Sequence, residues 1–465
     1  MKIYLETMGC QMNRLDSELV AGRLCAAGHE MVHDSESADV VLYNTCSVRR
    51  HAEDKVRSRL GADAVRKRSP GGAGLIVGVL GCMAQRQGGA LLRRHREVDI
   101  VCGPGRLADL AEMIELAATG ERVLALDPGR KDDPLAGADD RIDELDLGRD
   151  PAATPRATQA FVRVMRGCDK FCSYCIVPFV RGPELSRRPE RILEEVRRLA
   201  DAGRTEITLL GQTVNSYLWR AGGRTVRFSD LLAMLSGAAG LRRLRFVTSH
   251  PIDFGDDVLE AMRDLPNVCE YMHCPAQSGS DAVLKRMNRK YTRGQYDDLV
   301  DRARAIVPGV TLAGDFIVGF PGETPADHLA SGELIRRSGY KNSFVFKYSS
   351  RPGTSAARRL PDDVPMAEKK RRNNELLAIQ EQVGLAHHRR YVGRRVEVLV
   401  EGPSPRAHKQ ARPATPEATQ LVGRTRWHHI VVFDAPVRLA GGYARVDIVG
   451  ATALTLMGKL VASSR

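Results

Sequence analysis

Three cysteines in one short loop constrain this chain more than any other feature. Cys168, Cys172 and Cys175 follow the spacing Cys-x3-Cys-x2-Cys directly after a predicted strand, in the run FVRVMRGCDKFCSYC. A zinc site usually takes four ligands, and an electron-transfer cubane takes four cysteines. Three cysteines would leave one iron of a cubane open to a substrate or cofactor. A zinc loop or incidental thiols is the alternative interpretation.

A second set of cysteines is spread over the first 120 residues. Cys10 ends the run KIYLETMGC, Cys46 ends ADVVLYNTC and Cys82 ends LIVGVLGC, so each lies just past a predicted strand. The carboxyl ends of parallel strands meet at one edge of a sheet, where open α/β folds bind their ligands. We therefore expect these cysteines to converge and again to leave one iron open. Small buried side chains in the core are the alternative.

Four further cysteines, Cys25, Cys102, Cys269 and Cys274, fall outside both sets, and we expect structural roles for them. Cys274 ends a predicted barrel strand, where contact with a cofactor is the alternative. Ten cysteines in a large chain indicate metal binding or catalysis rather than disulfides, because the cytosol keeps thiols reduced. Neither a membrane-spanning apolar run nor a secretory signal is found, which favours a cytoplasmic protein without membrane contact.

The chain of 465 residues divides into three regions and a linker. In residues 1–120, short apolar runs alternate with helical patterns, which is typical of a parallel α/β domain. Residues 121–157 are rich in Pro, Gly and Asp and are interpreted as a linker. Residues 158–386 alternate strand and helix again, with strand candidates at 161–165, 206–210, 244–248, 269–273, 310–318 and 344–348. Short β-branched segments in residues 389–460 predict a small β-barrel.

Positive charge is concentrated at the end of the chain. The formal net charge is +13, and residues 389–465 contain 13 Lys and Arg against 5 Asp and Glu. A basic excess of this kind favours contact with a polyanion, with a solvated basic surface as the alternative.

Beyond GCDKFCSYC, several motifs resemble those of the radical-SAM methylthiotransferases over essentially the whole chain. They are GCQMN (9–13), NTCSVR (44–49), GCMAQ (81–85), LLGQTVNSY (209–217), TSHP (248–251), DFIVGFPGET (315–324) and YSSRPGT (348–354). The tail resembles the TRAM module, a small β-barrel associated with RNA binding. Within the family, GCQMN and NTCSVR resemble the corresponding motifs of the branch that acts on isopentenyl-adenosine in tRNA.

The resemblance implies an α/β fold with an N-terminal methylthiotransferase domain, a partial (β/α)6 radical-SAM barrel and a C-terminal TRAM barrel. It implies a SAM-binding 4Fe-4S cluster on Cys168, Cys172 and Cys175, and an auxiliary 4Fe-4S cluster on Cys10, Cys46 and Cys82. One S-adenosylmethionine (SAM) would yield the radical that activates the adenine, and a second would methylate the sulfur. The expected partners are a tRNA anticodon stem-loop, an electron-donor protein such as flavodoxin, and a sulfur donor.

Supporting residues follow from the same resemblance and from their positions. For the cofactor, packing or contact is expected from Tyr174, Gln212, Gln277, Ser278 and Gly319. In the tail, Arg and aromatic side chains suit stacking on single-stranded RNA and phosphate contacts. The tail candidates are Arg394, Arg395, Arg424, Arg426 and Trp427.

The chain departs from the family pattern at a few positions, notably Pro183, Cys274 and Ala276. None of these is a proposed cluster ligand, so they bear on cofactor or substrate contacts and not on the reaction class. Two other functions are considered. One is a methylthiotransferase acting on threonylcarbamoyl-adenosine in tRNA, and the other is a non-catalytic iron–sulfur RNA-binding sensor.

Overall fold

The computed structural model describes residues 1–47, 50–127, 138–150, 158–405 and 419–461. Its first part is a parallel sheet of six strands in the order β2-β1-β3-β4-β5-β6. The strands are β1 (Lys2–Met8), β2 (Glu30–Val32), β3 (Val40–Thr45), β4 (Ile76–Gly81), β5 (Ile100–Cys102) and β6 (Val123–Ala125). The helices are α1 (Gln11–Ala26), α2 (Arg50–Arg68), α3 (Cys82–Gln87), α4 (Gly89–Arg94) and α5 (Leu110–Ala118).

Strands β3 and β4 are buried along their whole length, which matches their continuous apolar sequences. Their side chains alternate between two hydrophobic clusters, one on each face of the sheet. Leu42 packs on the face that carries α1 and α5, whereas Val41 packs on the face that carries α2. The two-sided cover leaves the carboxyl edge of the sheet as the place where functional side chains gather.

The second part is a partial barrel of six parallel strands, each followed by helical cover. The barrel strands form the rows β13-β10-β7 and β14-β15-β16, which a bridge between Leu244 and Val268 connects. They are β7 (Gln159–Arg163), β10 (Glu206–Leu210), β13 (Arg243–Phe246), β14 (Tyr271–His273), β15 (Thr311–Val318) and β16 (Asn342–Lys347). All six strand candidates from the sequence are thus present.

Two short strand pairs and nine helices surround this barrel within the described residues. The pairs are β8 (Met165–Arg166) with β9 (Leu185–Ser186), and β11 (Leu218–Ala221) with β12 (Arg224–Arg227). The helices are α7 (Val177–Val180), α8 (Pro189–Asp201), α9 (Phe228–Ser236), α10 (Asp256–Asp264), α11 (Asp281–Arg286), α12 (Arg293–Ile306), α13 (Pro325–Ser338), α14 (Ser355–Arg359) and α15 (Met366–Arg389).

The tail closes into a five-stranded barrel in the order β17-β18-β19-β21-β20. Its strands are β17 (Arg395–Pro403), β18 (Thr419–Arg424), β19 (Ile430–Ala435), β20 (Tyr443–Ala451) and β21 (Thr455–Leu460). Arg243 and Arg245 of the large barrel donate hydrogen bonds to backbone carbonyls of residues 424–426, which fixes the tail against the barrel. The predicted α/β class with a small β-barrel at its end is confirmed.

One expectation needs correction. Within residues 121–157, interpreted as a linker without regular structure, β6 and the helix α6 (Ala138–Leu147) are formed. Asp143 and Asp146 of α6 are buried in ion pairs with Arg187 and Arg163 of the large barrel. Apolar periodicity does not reveal a helix that is held by charges. Residues 128–137 and 151–157 of this segment lie outside the described residues.

Candidate active site at the two cysteine trios

The N-terminal trio, Cys10, Cys46 and Cys82, lies at the carboxyl edge of the first sheet. Cys10 precedes α1, Cys46 directly follows β3, and Cys82 begins α3 directly after β4. The sequence run NTCSVR continues into residues 48 and 49, which lie outside the described residues. The three neighbouring strands β1, β3 and β4 thus deliver one cysteine each.

Two buried asparagines hold these strand ends together. The Asn13 side-chain amide donates to Asn44 Oδ1 at 2.9 Å, and the Asn44 amide donates to the backbone carbonyl of Asn13 at 3.0 Å. Asn13 belongs to the GCQMN run and Asn44 to the NTC run, so this pair fixes the Cys10 loop relative to the Cys46 loop. At the third strand end, Gly81 has φ = 85° and turns the chain directly into α3. These motifs therefore have a structural reason beyond their cysteines.

A buried arginine of the large barrel, Arg181, contacts the N-terminal trio. Arg181 Nε donates to Cys82 Sγ at 3.3 Å, and another guanidinium nitrogen of Arg181 lies 2.9 Å from Asp16 Oδ2. A hydrogen bond with Cys46, followed by the charge of Arg181, lowers the pKa of the half-buried Cys10 thiol to about 5. Burial raises the pKa of Cys82 instead. The trio is thus a buried sulfur site that already contains a cation and one readily ionised thiol.

The barrel trio, Cys168, Cys172 and Cys175, lies in the loop between β8 and α7. The loop is anchored by Ser173, whose N–H donates to the carbonyl of Met287 at 2.9 Å and whose hydroxyl donates to the carbonyl of Arg286 at 2.8 Å. At its start, Gly167 has φ = 72°, and a Cβ there would lie 1.7 Å from the carbonyl oxygen of Pro183. The fold of this loop therefore depends on contacts to α11 and to the chain after α7.

A second buried arginine, Arg289, contacts the barrel trio. Arg289 donates to Cys172 Sγ at 3.4 Å and to the carbonyl of Pro275 at 3.0 Å. Burial raises the pKa of Cys168 to about 11 and also raises that of Cys175. Because a thiolate is the form that binds metal, these thiols would ionise only together with metal binding.

The two trios belong to one packed site. Cys82 of the N-terminal trio packs against Ile176 and Val180, and Ile176 is the residue directly after Cys175 of the barrel trio. Cys82 therefore packs against the segment that leads from the barrel trio into and through α7. Over the residues that the structure describes, no group of three or more His, Cys, Asp or Glu side chains is placed to hold a single metal ion.

The donor set fits iron–sulfur clusters. Six sulfur atoms are arranged as two trios in buried surroundings, and each trio has an arginine N–H at hydrogen-bond distance from one sulfur. Soft thiolate ligands select clusters of this kind, and hydrogen bonds to their sulfurs tune them. Each trio supplies three ligands, so one of the four irons of a cubane would have no protein ligand.

The five expected cofactor residues have different surroundings in the structure. Tyr174 packs edge-on against Phe320, with ring centroids 6.4 Å apart. Gln212 and Gln277 are half-buried, and Gln277 has φ = 69°. The Ser278 hydroxyl accepts the N–H of Ser280 at 3.2 Å, so it supports a turn. At Gly319 a Cβ would lie 2.3 Å from the Lys369 side chain, which explains the glycine without a ligand.

Three departures from the family pattern are part of the structural framework. Cys274 and Ala276 are fully buried in the barrel core, and their carbonyls accept hydrogen bonds from Tyr296 and Tyr291. The carbonyl of Pro183 lies against Gly167, where it closes the cluster loop. None of the three positions places a polar side chain at either trio.

Most of the predicted RNA-binding residues in the tail already have protein contacts. Arg395 is paired with Asp447, and Arg424 with Glu401. Arg426 is paired with Glu270 of the large barrel, so it serves the junction. Trp427 packs partly on the tail core. Arg394 lies over the ring of Tyr391, with its guanidinium carbon 5.4 Å from the ring centroid.

Sequence reasoning missed the charged residues of the site, Asp16, Arg181 and Arg289. Their motifs carry no spacing rule that marks an arginine as a contact to sulfur.

The structure also contains a cavity of about 900 Å³ that the sequence did not predict. It lies between α1, the starts of the barrel strands and the tail, and its lining includes Gln11, Arg14, Phe161, Arg245 and Arg424. No helix in the described ranges has both the length and the apolar character to cross a membrane.

Known proteins resemble this chain in sequence and in fold. The family described as "Uncharacterized protein family UPF0004" matches residues 2–103, and the radical SAM superfamily matches residues 162–335. A radical S-adenosylmethionine methyltransferase from Kitasatospora setae, solved with cobalamin and a [4Fe-4S] cluster bound, superposes with a TM-score of 0.56 at 16% identity, over 77% of each chain. At that identity the likeness shows the fold alone.

Curated relatives cover nearly the full length. A protein of Rhodopirellula baltica is 45% identical over 98% of this chain and 95% of its own length. Proteins of Phocaeicola vulgatus and Jannaschia sp. are each 41% identical over 99% of this chain and 96% and 94% of their own lengths. All three are named tRNA-2-methylthio-N(6)-dimethylallyladenosine synthase. With its radical SAM barrel and two converging cysteine trios, the chain belongs to this family of radical SAM synthases.

Proposed function

We propose that this chain is a tRNA methylthiotransferase that converts N6-isopentenyladenosine next to the anticodon into its 2-methylthio derivative. The observation that carries the proposal is the packing of Cys82 of the N-terminal trio against Ile176, the residue that directly follows Cys175 of the barrel trio. The names of the near full-length relatives support the isopentenyl-adenosine substrate over threonylcarbamoyl-adenosine. A non-catalytic sensor would not need a second cysteine trio packed against the segment that follows the first.

The reaction explains why cofactors are needed. Carbon 2 of adenine carries a C–H bond without an acidic proton, so general acid–base groups cannot open it at neutral pH. Radical SAM membership implies a 4Fe-4S cluster and SAM, which supply one-electron chemistry that side chains cannot. We assign this cluster to Cys168, Cys172 and Cys175, and a second, auxiliary cluster to Cys10, Cys46 and Cys82. Two SAM molecules per turnover are part of the proposal.

The chain's own residues then have defined tasks. Arg289 and Arg181 each place a positive charge beside one sulfur trio. Tyr174 and its packing partner Phe320 close the apolar side of the cluster loop and exclude water there. Asn13 and Asn44 keep the N-terminal trio in register. A reductant such as a flavodoxin and a separate sulfur donor complete the proposed set of partners.

The anaerobically reconstituted full-length protein tests this function. We expect about eight irons per chain, the sum of two four-iron clusters, and cleavage of SAM to 5′-deoxyadenosine on reduction. An anticodon stem-loop with isopentenyl-adenosine should gain a methylthio group, and the same RNA with threonylcarbamoyl-adenosine should not. Nucleoside mass spectrometry distinguishes the two substrates. Iron for one cluster only, or methylthiolation of the second RNA alone, would contradict the proposal.

The tail is proposed as the RNA-binding part, and its geometry sharpens the choice of residue. Arg394 stacks on Tyr391 and has no carboxylate partner among the residues that the structure describes, whereas the neighbouring Arg395 is paired with Asp447. Arg394→Gln should weaken stem-loop binding and reduce the slope of log affinity against log salt by about one. Arg395→Gln is the matched control and should change that slope less. Equal slopes in both variants would remove Arg394 from the RNA contact.

A further inference from the structure

Arg181 occupies an unusual position for a charged side chain. It follows the last residue of α7, six residues after Cys175 in the sequence, and only 7% of it is exposed. Burying a guanidinium is costly unless charges and hydrogen bonds compensate it. Its partners therefore indicate its role.

Those partners come from the first domain and not from the barrel that contains Arg181. One guanidinium nitrogen contacts Asp16 of α1 at 2.9 Å, and Nε donates to Cys82 Sγ at 3.3 Å. An arginine guanidinium keeps its proton in proteins. The guanidinium therefore stays charged beside the N-terminal trio.

Asp16 does not fully occupy Arg181, because the same carboxylate also binds Arg163 of β7 at 3.0 Å. Arg163 has a second carboxylate partner in Asp146, at 2.8 Å. Asp16 thus orients Arg181 through one terminal nitrogen of the guanidinium and leaves Nε directed at Cys82 Sγ. The arrangement fixes a cation at a metal-binding trio with a geometry that a lysine could not reproduce.

We infer that Arg181 is a positioning residue that raises the reduction potential of the auxiliary cluster on Cys10, Cys46 and Cys82. Hydrogen bonds to ligand sulfurs and buried positive charge favour the reduced, more negative state of a cluster. The inference rests on the proposed function, because it requires a cluster at this trio. Arg181 would thereby link the state of the auxiliary cluster to the helix that leaves the SAM-cluster loop.

The test measures the midpoint potential of the auxiliary cluster alone. In a full-length background with Cys168, Cys172 and Cys175 all changed to Ala, an EPR-monitored redox titration reports only the N-terminal trio. Arg181→Gln should shift the midpoint to a more negative value, and Arg181→Lys should shift it by less because it keeps the charge. If Arg181→Gln holds no cluster, the lysine variant alone decides, and an unchanged midpoint there overturns the inference.

Arg187→Gln is the matched control. Arg187 is equally buried and is paired with Asp143 and Glu195, but it contacts no cysteine. Its loss should lower thermal stability without moving the midpoint. Equal shifts in both variants, or no shift in Arg181→Gln, would overturn the inference. If the background binds no iron at all, the proposed auxiliary cluster fails instead, so the two failures are distinguishable.

Discussion

The two cysteine trios are built on different structural principles. The barrel trio lies within eight consecutive residues and is shaped by one loop, which Ser173 ties to α11. The N-terminal trio takes one cysteine from each of three strand ends and needs the finished sheet to exist. It also contacts Arg181, which belongs to the barrel. One proposed cluster site is therefore local in the sequence, whereas the other is a product of tertiary structure across two domains.

The largest effect should come from removing a cysteine of either trio. Cys172→Ala should abolish both SAM cleavage and product, because the proposed function assigns the SAM-binding cluster to the barrel trio. Cys46→Ala should abolish methylthiolation and leave 5′-deoxyadenosine formation detectable. Chromatographic assay of both products checks the separation. The exposed Cys25 is the control position, and Cys25→Ala should behave as the parent protein. Full product formation by Cys46→Ala would refute the proposed role of the N-terminal trio.

Breaking the link between the domains should affect the N-terminal trio first. Asp16 is fully buried and binds both Arg163 and Arg181, so Asp16→Asn leaves two buried cations short of a counter-charge. We expect a loss of about 3–5 kcal/mol in the free energy of unfolding. Iron at the N-terminal trio should be released at a lower urea concentration than iron at the barrel trio. The exposed pair Asp301 and Arg337 is the control, and Asp301→Asn should cost less than about 1 kcal/mol.

Gly81 lies beside the N-terminal trio and Gly167 beside the barrel trio, and a side chain at either position would be strained. Substitutions there should disturb one trio at a time with a smaller loss of stability than Asp16→Asn. Gly81→Ala should cost about 1–3 kcal/mol, because φ is 85° and the new Cβ would lie 2.6 Å from Asn44 Oδ1. The damage should appear in iron content at the N-terminal trio. Gly167→Ala should reduce iron at the barrel trio instead. Gly222→Ala, with φ = 57° and open space, measures the backbone strain alone. Equal iron loss at both trios in either variant would contradict the separation.

A pH-dependent effect concerns the tail junction, away from both trios, and it leaves the proposed activity untouched. Buried histidines pack there, and burial lowers the pKa of His387 to about 3 and that of His388 to about 4. In the unfolded chain both have a pKa near 6.5. Below pH 6.5 the unfolded chain therefore binds protons that the folded chain does not, and stability falls towards pH 4. Each histidine should cost about 2 kcal/mol at pH 5 and nothing above pH 7.

Trp427 can report on this junction, because it lies beside Tyr391 with ring centroids 6.1 Å apart. In a Trp219→Phe background it is the remaining tryptophan. Urea titrations of the metal-free chain at pH 7 and pH 5 should show the drop by fluorescence. His388→Gln can keep the hydrogen bond to the carbonyl of Gly384 and should reduce the pH dependence. Stability that is flat between pH 5 and 7 would show that the histidines do not stay neutral.

The contrast between the two trios also shows how much of the fold and of the site the sequence predicts. The barrel trio was visible as a spacing, and the six barrel strands as apolar runs. The strand-end position of Cys10, Cys46 and Cys82 was also predictable, because topology brings the ends of parallel strands together. The ion pairs of Asp16 and the sulfur contacts of Arg181 and Arg289 were not, since they join residues that no local pattern relates. The helix α6 was missed for the same reason.

The contact of Arg181 with Cys82 also limits how this protein can be recombined. A chimaera that exchanges only the first domain would bring a new trio without the arginine that matches it, because Arg181 is encoded with the barrel. A functional exchange would have to carry the segment from Ile176 to Arg181 along with the domain it serves. The domain boundary in the sequence and the boundary of the proposed auxiliary-cluster site are therefore at different places.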